Sequence, residues 1–346
     1  MRRLSTVDLT DRIRRIQAKI RDRVIERVEA TEIEALSSIA AETAGDTIYA
    51  VDRVSEEALV ELFAKSLGED TSLVLIAEGL EEEGRVFPAG TDPEKAIYRV
   101  IVDPIDGTRG LMYDKRSAWV LTGVAENRGK ETSLQDIFLA VQTEIPTRKQ
   151  YRCDVLWATQ GGGANAEGFD RFTGESCPLR LLPSTSSTIE HGFAMISRFF
   201  PGGKDVLARL EDRLAEALIG PVQSGKARLF EDQYICTGGQ LYELMSGHDR
   251  FNADLRPNLD QVLKERGEAM GICCHPYDMC TELIGREMGV IVTDPVGLPL
   301  NAPLDTTSPV GWIGYANETL KEQIEPVLQK LLKENGMISG ENFGGG

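Results

Sequence analysis

The chain has 346 residues, of which 41% are hydrophobic and 27% are charged, a composition typical of an ordinary globular protein. It carries 38 Lys and Arg residues against 55 Asp and Glu residues, a formal net charge of −17. Because such a surface repels phosphate backbones and anionic lipids, we expect neither a nucleic acid polymer nor a membrane as a partner. An anionic small molecule would bind only where bound cations make the local charge positive.

The amino-terminal sequence MRRLSTVDLTDRIRRIQ is polar where a signal peptide is apolar, and no apolar run approaches membrane-spanning length. A cytoplasmic location is therefore expected. Six scattered cysteines indicate reduced thiols rather than a disulfide framework. The segment CCHPYDMC suggests a zinc site, but Cys273 and Cys274 are adjacent and lack the usual spacer between ligands, so zinc is disfavoured.

Two helices are predicted near the amino terminus. In residues 9–28 apolar side chains recur every three or four positions, which indicates one buried stripe made of Ile13, Ile16, Ile20, Val24 and Val28. A second helix is predicted over residues 55–67, where Ser55 would cap the first turn. Glu56 and Glu57 would then lie at the positive end of the helix dipole.

The middle of the chain changes to short runs typical of β-strands, separated by Gly, Asn and charged clusters. Several runs are spaced as hairpins, which favours helices packed on a mostly antiparallel sheet. The predicted strands are residues 72–77, 96–102, 117–125, 136–144 and 151–159. The segments GGGANAEG and GGQLYELMSG lack the fingerprint of a dinucleotide site and are interpreted as a hairpin and a closely packed helix.

Helical patterns alternate with short strands in the second half, which predicts an α/β arrangement there. The predicted helices are residues 204–218, 233–246, 277–288 and 317–333, and the predicted strands are residues 290–293 and 310–316. The Pro/Ser/Thr-rich segment 183–188 marks a predicted boundary between an α+β domain at residues 1–186 and an α/β domain at residues 187–346.

Two carboxylates, Asp103 and Asp106, follow the predicted strand 96–102 directly. Pro104 indicates that the strand ends and the chain turns at Asp103, with the Ile105 carbonyl between the two side chains. Oxygens of this kind suit Mg²⁺, which takes a few carboxylates, keeps several waters and completes its coordination with phosphate. The sequence therefore predicts a magnesium site at this turn.

Phosphate donors are predicted beside these carboxylates. A helical turn that begins here would point the amides of Gly107 and Thr108 outward, and the bare Gly107 permits close approach of a phosphate. Asp-Pro and Asp-Gly pairs are also ordinary turn formers, so a plain loop between strands is the alternative.

Two further carboxylates adjoin apolar segments. Glu78 ends the run LVLIAEG, and Asp278 opens a helix whose apolar positions are Met279, Leu283, Ile284 and Met288. Taken alone, Glu78 could simply lead into the acidic surface loop 81–83, and Asp278 could simply favour the dipole of a helix that follows Pro276.

Together these pieces resemble the inositol monophosphatase family, part of the lithium-sensitive, Mg²⁺-dependent phosphatase superfamily that includes fructose-1,6-bisphosphatase. The matching segments, in the family's order from about residue 46 to residue 300, are AVDRVSEEALVELF, LVLIAEG, VDPIDGTRG, AWVLTGVAEN, ATQGGGANAEG and HPYDMCTELIGREMGVIVTDPVGLPL. The resemblance implies a layered αβαβα sandwich of the sugar phosphatase type, commonly a homodimer.

The activity that the resemblance implies is hydrolysis of a small phosphorylated polyol or sugar, such as inositol monophosphate, by metal-activated water. Fructose 1,6-bisphosphate and 3'-phosphoadenosine 5'-phosphate are alternative substrates within the superfamily. A non-catalytic homologue that binds metal and sugar phosphate as a regulator is the alternative from another class.

The resemblance also implies a site around two or three Mg²⁺ ions. A first ion would be surrounded by Glu78, Asp103, the Ile105 carbonyl and Thr108, and a second would be held by Asp103, Asp106 and Asp278. The phosphate would be bound by Gly107 and Thr108, and the attacking water would be oriented by Glu78 and Thr108.

Three other residues are expected near the site, two from the resemblance and one from its place next to the phosphate loop. Asp52 matches a family aspartate near the metals that is counted with the catalytic residues, although an acid in the first turn of a helix is the equal alternative. Asp254 falls where the family often places an acid that contacts substrate hydroxyls. Arg109, directly after the phosphate loop, either touches the substrate or lies exposed.

The chain departs from the family pattern at three places. Gly79 stands where the family usually has a second glutamate, and Tyr277 replaces a tryptophan, with Cys280 and Thr281 in place of small residues. An additional segment, residues 255–274, is largely absent from family members. Because that segment adjoins the expected substrate pocket, these departures bear most on substrate identity.

Overall fold

A computed structural model describes residues 1–36, 39–42 and 47–339, without the side chains of residues 34, 39–42 and 47–57. The first elements are α1 (Thr6–Ala30), α2 (Ile33–Leu36), β1 (Ile39–Glu42), β2 (Thr47–Tyr49) and α3 (Ala50–Ser66). Strands β1 and β2 form a small antiparallel ribbon between the helices.

A large sheet follows, with a short helix inserted between two of its strands. Its strands are β3 (Leu73–Ala77), β4 (Arg85–Phe87), β5 (Tyr98–Asp106), β6 (Ala118–Glu126), β7 (Ile137–Ile145), β8 (Arg152–Thr159), β9 (Gly163–Asp170) and β10 (Ser176–Pro178), and the inserted helix is α4 (Thr108–Met112). The spatial order is β10-β9-β8-β7-β6-β5-β3-β4. Its pairs are antiparallel except for β3 with β5, so the mostly antiparallel sheet predicted from hairpin spacing is confirmed.

The second half contains a four-stranded sheet and six helices within the described residues. These elements are β11 (Phe193–Ile196), α5 (Lys204–Ile219), α6 (Thr237–Met245), β12 (Asp249–Asp254), α7 (Asp260–Arg266), α8 (Pro276–Met279), α9 (Glu282–Met288), β13 (Ile291–Thr293), β14 (Trp312–Tyr315) and α10 (Glu318–Glu334). The strand order is β11-β12-β14-β13. The two sheets lie on either side of the segment 183–188, and the division into two domains stays a prediction.

The elements stack in five layers. Helices α1 and α3 pack together on one face of the large sheet, and α6, α8 and α9 cover its other face. Helices α6 and α9 also contact the small sheet, whose strands β11 and β14 contact α5 and α10. This order confirms the predicted αβαβα sandwich.

The large sheet is buried on both faces, which explains why its central strands read as continuous apolar runs. In β5, Ile101 belongs to the core shared with the middle helices and the small sheet. Its neighbours Val100 and Val102 belong to the core under α1 and α3. Side chains therefore alternate between two apolar layers instead of between core and solvent.

Helix α1 buries the predicted apolar stripe against the sheet. The same face carries the buried Gln17, whose amide donates to the Thr122 hydroxyl and the Val141 carbonyl, both at 2.8 Å. The Thr143 hydroxyl donates to the Gln17 carbonyl at 2.6 Å, so this polar group is fully matched within the core. Within the described residues, none of the helices combines the length and apolar character needed to cross a membrane.

Three helix predictions differ from the structure, and one of them, the helix predicted over residues 233–246, begins only at Thr237. Helix α3 begins at Ala50, so Ser55 lies within the helix and does not cap it. The predicted helix 277–288 is two short helices separated at Cys280 and Thr281. The interruption has a tertiary cause, because the Thr281 hydroxyl donates to the buried Gln142 of β7 at 2.9 Å.

Candidate metal centre

The parallel pairing of β3 with β5 brings two of the predicted acids together. Ala77, the last residue of β3, is the partner of Val102, and Glu78 and Asp103 follow them directly. The carboxyl ends of parallel strands lie at the same edge of a sheet, so both side chains reach one place. Both residues line a single pocket there.

A β-bulge places Asp103 and Asp106 on the same face of the sheet. Strand β5 does not end at Asp103 as predicted but continues through Asp106, with an irregularity opposite β6 between these two residues. Pro104 lies in the bulge, where the ladder needs no amide donor. In a regular strand, residues three apart would face opposite sides, so the extra residue is what allows both carboxylates to meet.

Gly107 turns the chain from β5 into α4, and the helical turn predicted after the carboxylates is confirmed. Its φ of 93° lies in the left-handed region that favours glycine. A Cβ atom at this position would lie 2.9 Å from the Cβ of Cys236. Both the backbone and the packing therefore require glycine here.

Replacing Gly107 by alanine is expected to lower the free energy of unfolding by about 2–4 kcal/mol, because strain and overlap add. Gly174 is a matched control, since its φ is 74° but a Cβ there meets no heavy atom within 4 Å. Gly174→Ala should cost only the backbone strain, about 1 kcal/mol. Urea unfolding monitored by circular dichroism measures both, and equal losses in the two variants would contradict the packing argument.

Asp106 is held by the amino-terminal amides of α6. Its Oδ1 accepts from the Thr237 amide at 3.2 Å and its Oδ2 accepts from the Gly238 amide, and both amides belong to the first turn. A Cβ at Gly238 would lie 3.1 Å from Asp106 Oδ2, so the glycine permits this close approach. The segment GGQLYELMSG is thus a closely packed helix as predicted, and its packing also fixes a site carboxylate, which the sequence did not indicate.

Asp278 completes the cluster from α8. Its Oδ2 accepts from the His275 amide at 2.6 Å, as the reciprocal half of a capping box at the start of this short helix. Asp103, Asp106 and Asp278 each offer a carboxylate oxygen, and these three oxygens all lie within 4.8 Å of one another. Acids that are far apart along the chain thus converge beneath one pocket.

The cluster is electrostatically unfavourable for three ionised carboxylates. Burial, followed by the charges of Glu78, Asp106 and Asp278, raises the pKa of Asp103 well above its usual range. Burial raises the pKa of Asp106 to about 6, although its amide donors oppose the shift. Burial and the charge of Asp106 also raise the pKa of Asp278. A bound cation would remove this penalty by favouring the charged forms.

The donor set fits a hard divalent cation. Carboxylate oxygens close to one another and a nearby backbone carbonyl are the ligands that Mg²⁺ takes. The Ile105 carbonyl accepts the Thr108 hydroxyl at 2.8 Å, and a carbonyl oxygen has a second lone pair for a cation. Among the described residues, these acids form the cluster with metal-ligand spacing.

The other wall of the pocket comes from the second half of the chain. It includes Phe199, Phe200, Arg256, Tyr277 and residues 272–274. The rings of Phe199 and Phe200 meet edge to face with centroids 4.9 Å apart. The pocket therefore has an acidic floor and an aromatic and basic side.

The structure brings most of the predicted site residues to this pocket. Those that line it are Glu78, Asp103, Ile105, Asp106, Gly107, Thr108 and Asp278. Arg109 also lines it and packs over the Phe200 ring at 5.0 Å. The backbone of Asp52 lies in the first turn of α3, but its side chain lies outside the described residues, so its place near the metals stays a prediction.

Asp254 lies at the end of β12 and is bound by Arg256. Its predicted contact with substrate hydroxyls stays a prediction.

Several solved structures align with nearly the whole chain. The chain aligns with the extragenic suppressor protein SuhB from Bartonella henselae over 93% of its length and 98% of that chain, with 18% identity and a TM-score of 0.61. It aligns with Leishmania major fructose-1,6-bisphosphatase in holo form over 95% of both chains, with 16% identity and a TM-score of 0.65. It aligns with the Thermotoga maritima IMPase over 94% of its length and 100% of that chain, with 17% identity and a TM-score of 0.58.

The chain has the same fold as these three solved proteins. No family model and no curated protein sequence matches it. The resemblance drawn from short motifs is thus confirmed at the level of the fold, and a shared fold does not by itself determine the reaction.

The departures from the inositol monophosphatase pattern have visible structural effects. Gly79 adopts a left-handed φ of 81° in the turn after β3, a conformation that would strain a glutamate. The Tyr277 ring stacks on His275 with centroids 5.3 Å apart. The additional segment 255–274 contains α7 and contributes Arg256 and residues 272–274 to the pocket, so it adjoins the site as expected.

Proposed function

We propose that the chain is a metal-dependent phosphomonoesterase that hydrolyses a small phosphorylated polyol or sugar. The observation that carries this proposal is the convergence of Asp103, Asp106 and Asp278, with carboxylate oxygens within 4.8 Å, in a pocket that Glu78 and Thr108 also line. A superfamily fold shared with SuhB, an IMPase and a fructose-1,6-bisphosphatase supports the same chemistry.

The residues of the chain divide the task between binding and orientation. Asp103, Asp106 and Asp278 would hold divalent cations, with Glu78 and the Ile105 carbonyl completing the oxygen set. When bound, such ions neutralise phosphoryl oxygens and lower the pKa of water. We propose Mg²⁺, as two or three ions, because the oxygen donors are hard and leave positions for water and phosphate.

Glu78 and Thr108 are suited to orient the attacking water. The Thr108 hydroxyl donates to Ile105, which fixes its rotamer, and its oxygen can accept a hydrogen from a water molecule. Glu78 lines the same pocket and can accept the other water hydrogen as a carboxylate. No protein nucleophile is needed in this arrangement.

The proposal also covers the oligomeric state of the enzyme, its location in the cell and its inhibition by Li⁺. We expect a homodimer in the cytoplasm, acting on a small phosphate ester and inhibited by Li⁺ through occupation of a cation position. Light scattering coupled to gel filtration tests the dimer. Adding LiCl to the activity assay tests the inhibition.

Release of inorganic phosphate from a substrate panel tests the function. The panel contains p-nitrophenyl phosphate, inositol 1-phosphate, fructose 1,6-bisphosphate and 3'-phosphoadenosine 5'-phosphate, each with Mg²⁺ and with EDTA. We expect turnover with Mg²⁺ and its loss with EDTA. Calorimetric binding of these compounds without turnover would support the non-catalytic regulatory alternative instead.

A further inference from the structure

Arg256 neutralises the acid that was expected to bind substrate hydroxyls. Its Nε donates to Asp254 Oδ1 at 2.9 Å, and its Nη2 donates to Asp254 Oδ2. The backbone amide of Arg256 also donates to Oδ1 at 3.1 Å. Asp254 is 1% exposed and Arg256 is 7% exposed, so the pair is buried and both carboxylate oxygens are engaged.

The guanidinium of Arg256 is fixed in one orientation. It lies 4.4 Å from the Phe199 ring centroid and 5.2 Å from that of Phe200, so the two rings pack against it. Its Nη1 donates to the Ile272 carbonyl at 2.9 Å, which ties it to the additional segment 255–274. Because the side chain is already ordered, a ligand that binds it has little further conformational entropy to remove.

Two N–H groups of Arg256 remain for a ligand. A guanidinium has five N–H donors, and three of them are used by Asp254 and Ile272. The other two, one hydrogen on each Nη atom, have no hydrogen-bond partner among the described residues. Arg256 lines the same pocket as Asp103, Asp106 and Asp278.

We propose that Arg256 is a specificity-determining residue that binds an anionic group on the substrate, distant from the phosphate ester that is cleaved. This inference rests on the proposed phosphatase function. The group is a carboxylate or a second phosphate, because both present the paired oxygens that a fixed guanidinium binds. Substrate hydroxyls would need the oxygens of Asp254, and these are occupied by Arg256.

Matched substrate pairs test this inference in the Mg²⁺-loaded protein. Glycerol 3-phosphate and 3-phosphoglycerate differ by a hydroxymethyl group against a carboxylate, and fructose 1-phosphate and fructose 1,6-bisphosphate differ by the second phosphate. We expect kcat/KM to favour the anionic member of one pair by about 10- to 100-fold, as a charge-assisted hydrogen bond provides. The pair that shows the preference identifies the anionic group as carboxylate or phosphate.

The variant Arg256→Gln should remove this preference while changing kcat/KM for the neutral member much less. Because this change leaves Asp254 buried without its partner, the double variant Asp254→Asn/Arg256→Gln is the second test, with folding checked by circular dichroism. Arg116→Gln is the matched control. Arg116 also stacks on an aromatic ring, that of Tyr234, and pairs with Asp232 and Glu243, but it lies in a different depression of the surface.

The outcomes separate this inference from the proposed function. Hydrolysis of both members of each pair without preference, or a preference that survives in both Arg256 variants, overturns the inference and leaves the phosphatase function standing. Faster hydrolysis of neutral substrates in Arg256→Gln also overturns it, because Asp254 would then be the binding residue. If no compound is hydrolysed, the function fails. Calorimetry then decides the inference by whether tighter binding of the anionic member disappears in the variants.

Discussion

Replacing Asp103 by asparagine is expected to lower Mg²⁺-dependent phosphate release by at least about 1000-fold. The change removes the negative charge of the carboxylate next to Glu78, Asp106 and Asp278, and an amide binds a hard cation weakly. The fold should persist, because the variant also relieves repulsion within the cluster. Steady-state phosphate release at saturating Mg²⁺, with circular dichroism in parallel, measures both effects.

Asp249→Asn is the matched control for this prediction. Asp249 is also buried, burial raises its pKa to about 6, and it accepts from the Asn252 amide at 2.8 Å. It does not line the site pocket, so its replacement should leave phosphate release close to that of the unaltered chain. Equal activity of Asp103→Asn and the unaltered chain would disprove the assignment of the metal centre.

Mg²⁺ is expected to stabilise the protein more at pH 7.5 than at pH 5. Without a cation, burial raises the pKa of Asp106 to about 6 in the folded chain, against an ordinary value near 4 when unfolded, and the pKa values of Asp103 and Asp278 are raised as well. The folded state then binds more protons than the unfolded state. These groups therefore contribute stability at low pH that is lost as pH rises through about 6.

A cation reverses this trend because it binds the ionised carboxylates. At Mg²⁺ concentrations about 100 times the dissociation constant, the stabilisation is about 2.7 kcal/mol, which raises Tm by about 4 °C in a chain of 346 residues. Calorimetric melting with Mg²⁺ and with EDTA at both pH values measures the difference. Other buried acids, such as Glu211 with a pKa of about 7, do not contact the cluster. Their contributions to stability are therefore the same with Mg²⁺ and with EDTA, and they cancel in the Tm difference at each pH. An equal Tm shift at both pH values, or none, would contradict the prediction.

Local sequence patterns were sufficient where one element determines its own structure. The stripe of α1 follows from the spacing of its apolar residues, and the runs that became β3, β5, β6, β7 and β8 follow from their β-branched and apolar composition. The hexad that begins at Asp103 also predicted a cation site, because its carboxylates and the Ile105 carbonyl are oxygen ligands within a few residues of one another.

The bounds of strands with little apolar content were not predicted. Strand β9 has the sequence GANAEGFD and is recognisable only from its pairing with β8, where Thr159 faces Gly163. The pairing is supported from outside the hairpin, since Glu287 of α9 accepts from the amides of Gly161 and Gly163 at 2.7 and 2.9 Å. The hairpin interpretation of this Gly-rich segment was correct, but its extent depends on these contacts.

The sequence alone determined the residue types of the metal centre, the helix and strand periods that flank it, and the resemblance that implied the fold. Only the tertiary structure decided that a bulge brings Asp106 to the same face of the sheet as Asp103, and that amides of α6 bind Asp106. It also decided that the Arg256 guanidinium binds the Asp254 carboxylate. The physical reason is packing. Periodicity reports which face of an element is buried, whereas the contacts made on that face depend on other elements. The bulge of β5 forms against β6, the amides that bind Asp106 lie 131 and 132 residues further along the chain, and the buried Asp254–Arg256 pair packs against Phe199 and Phe200.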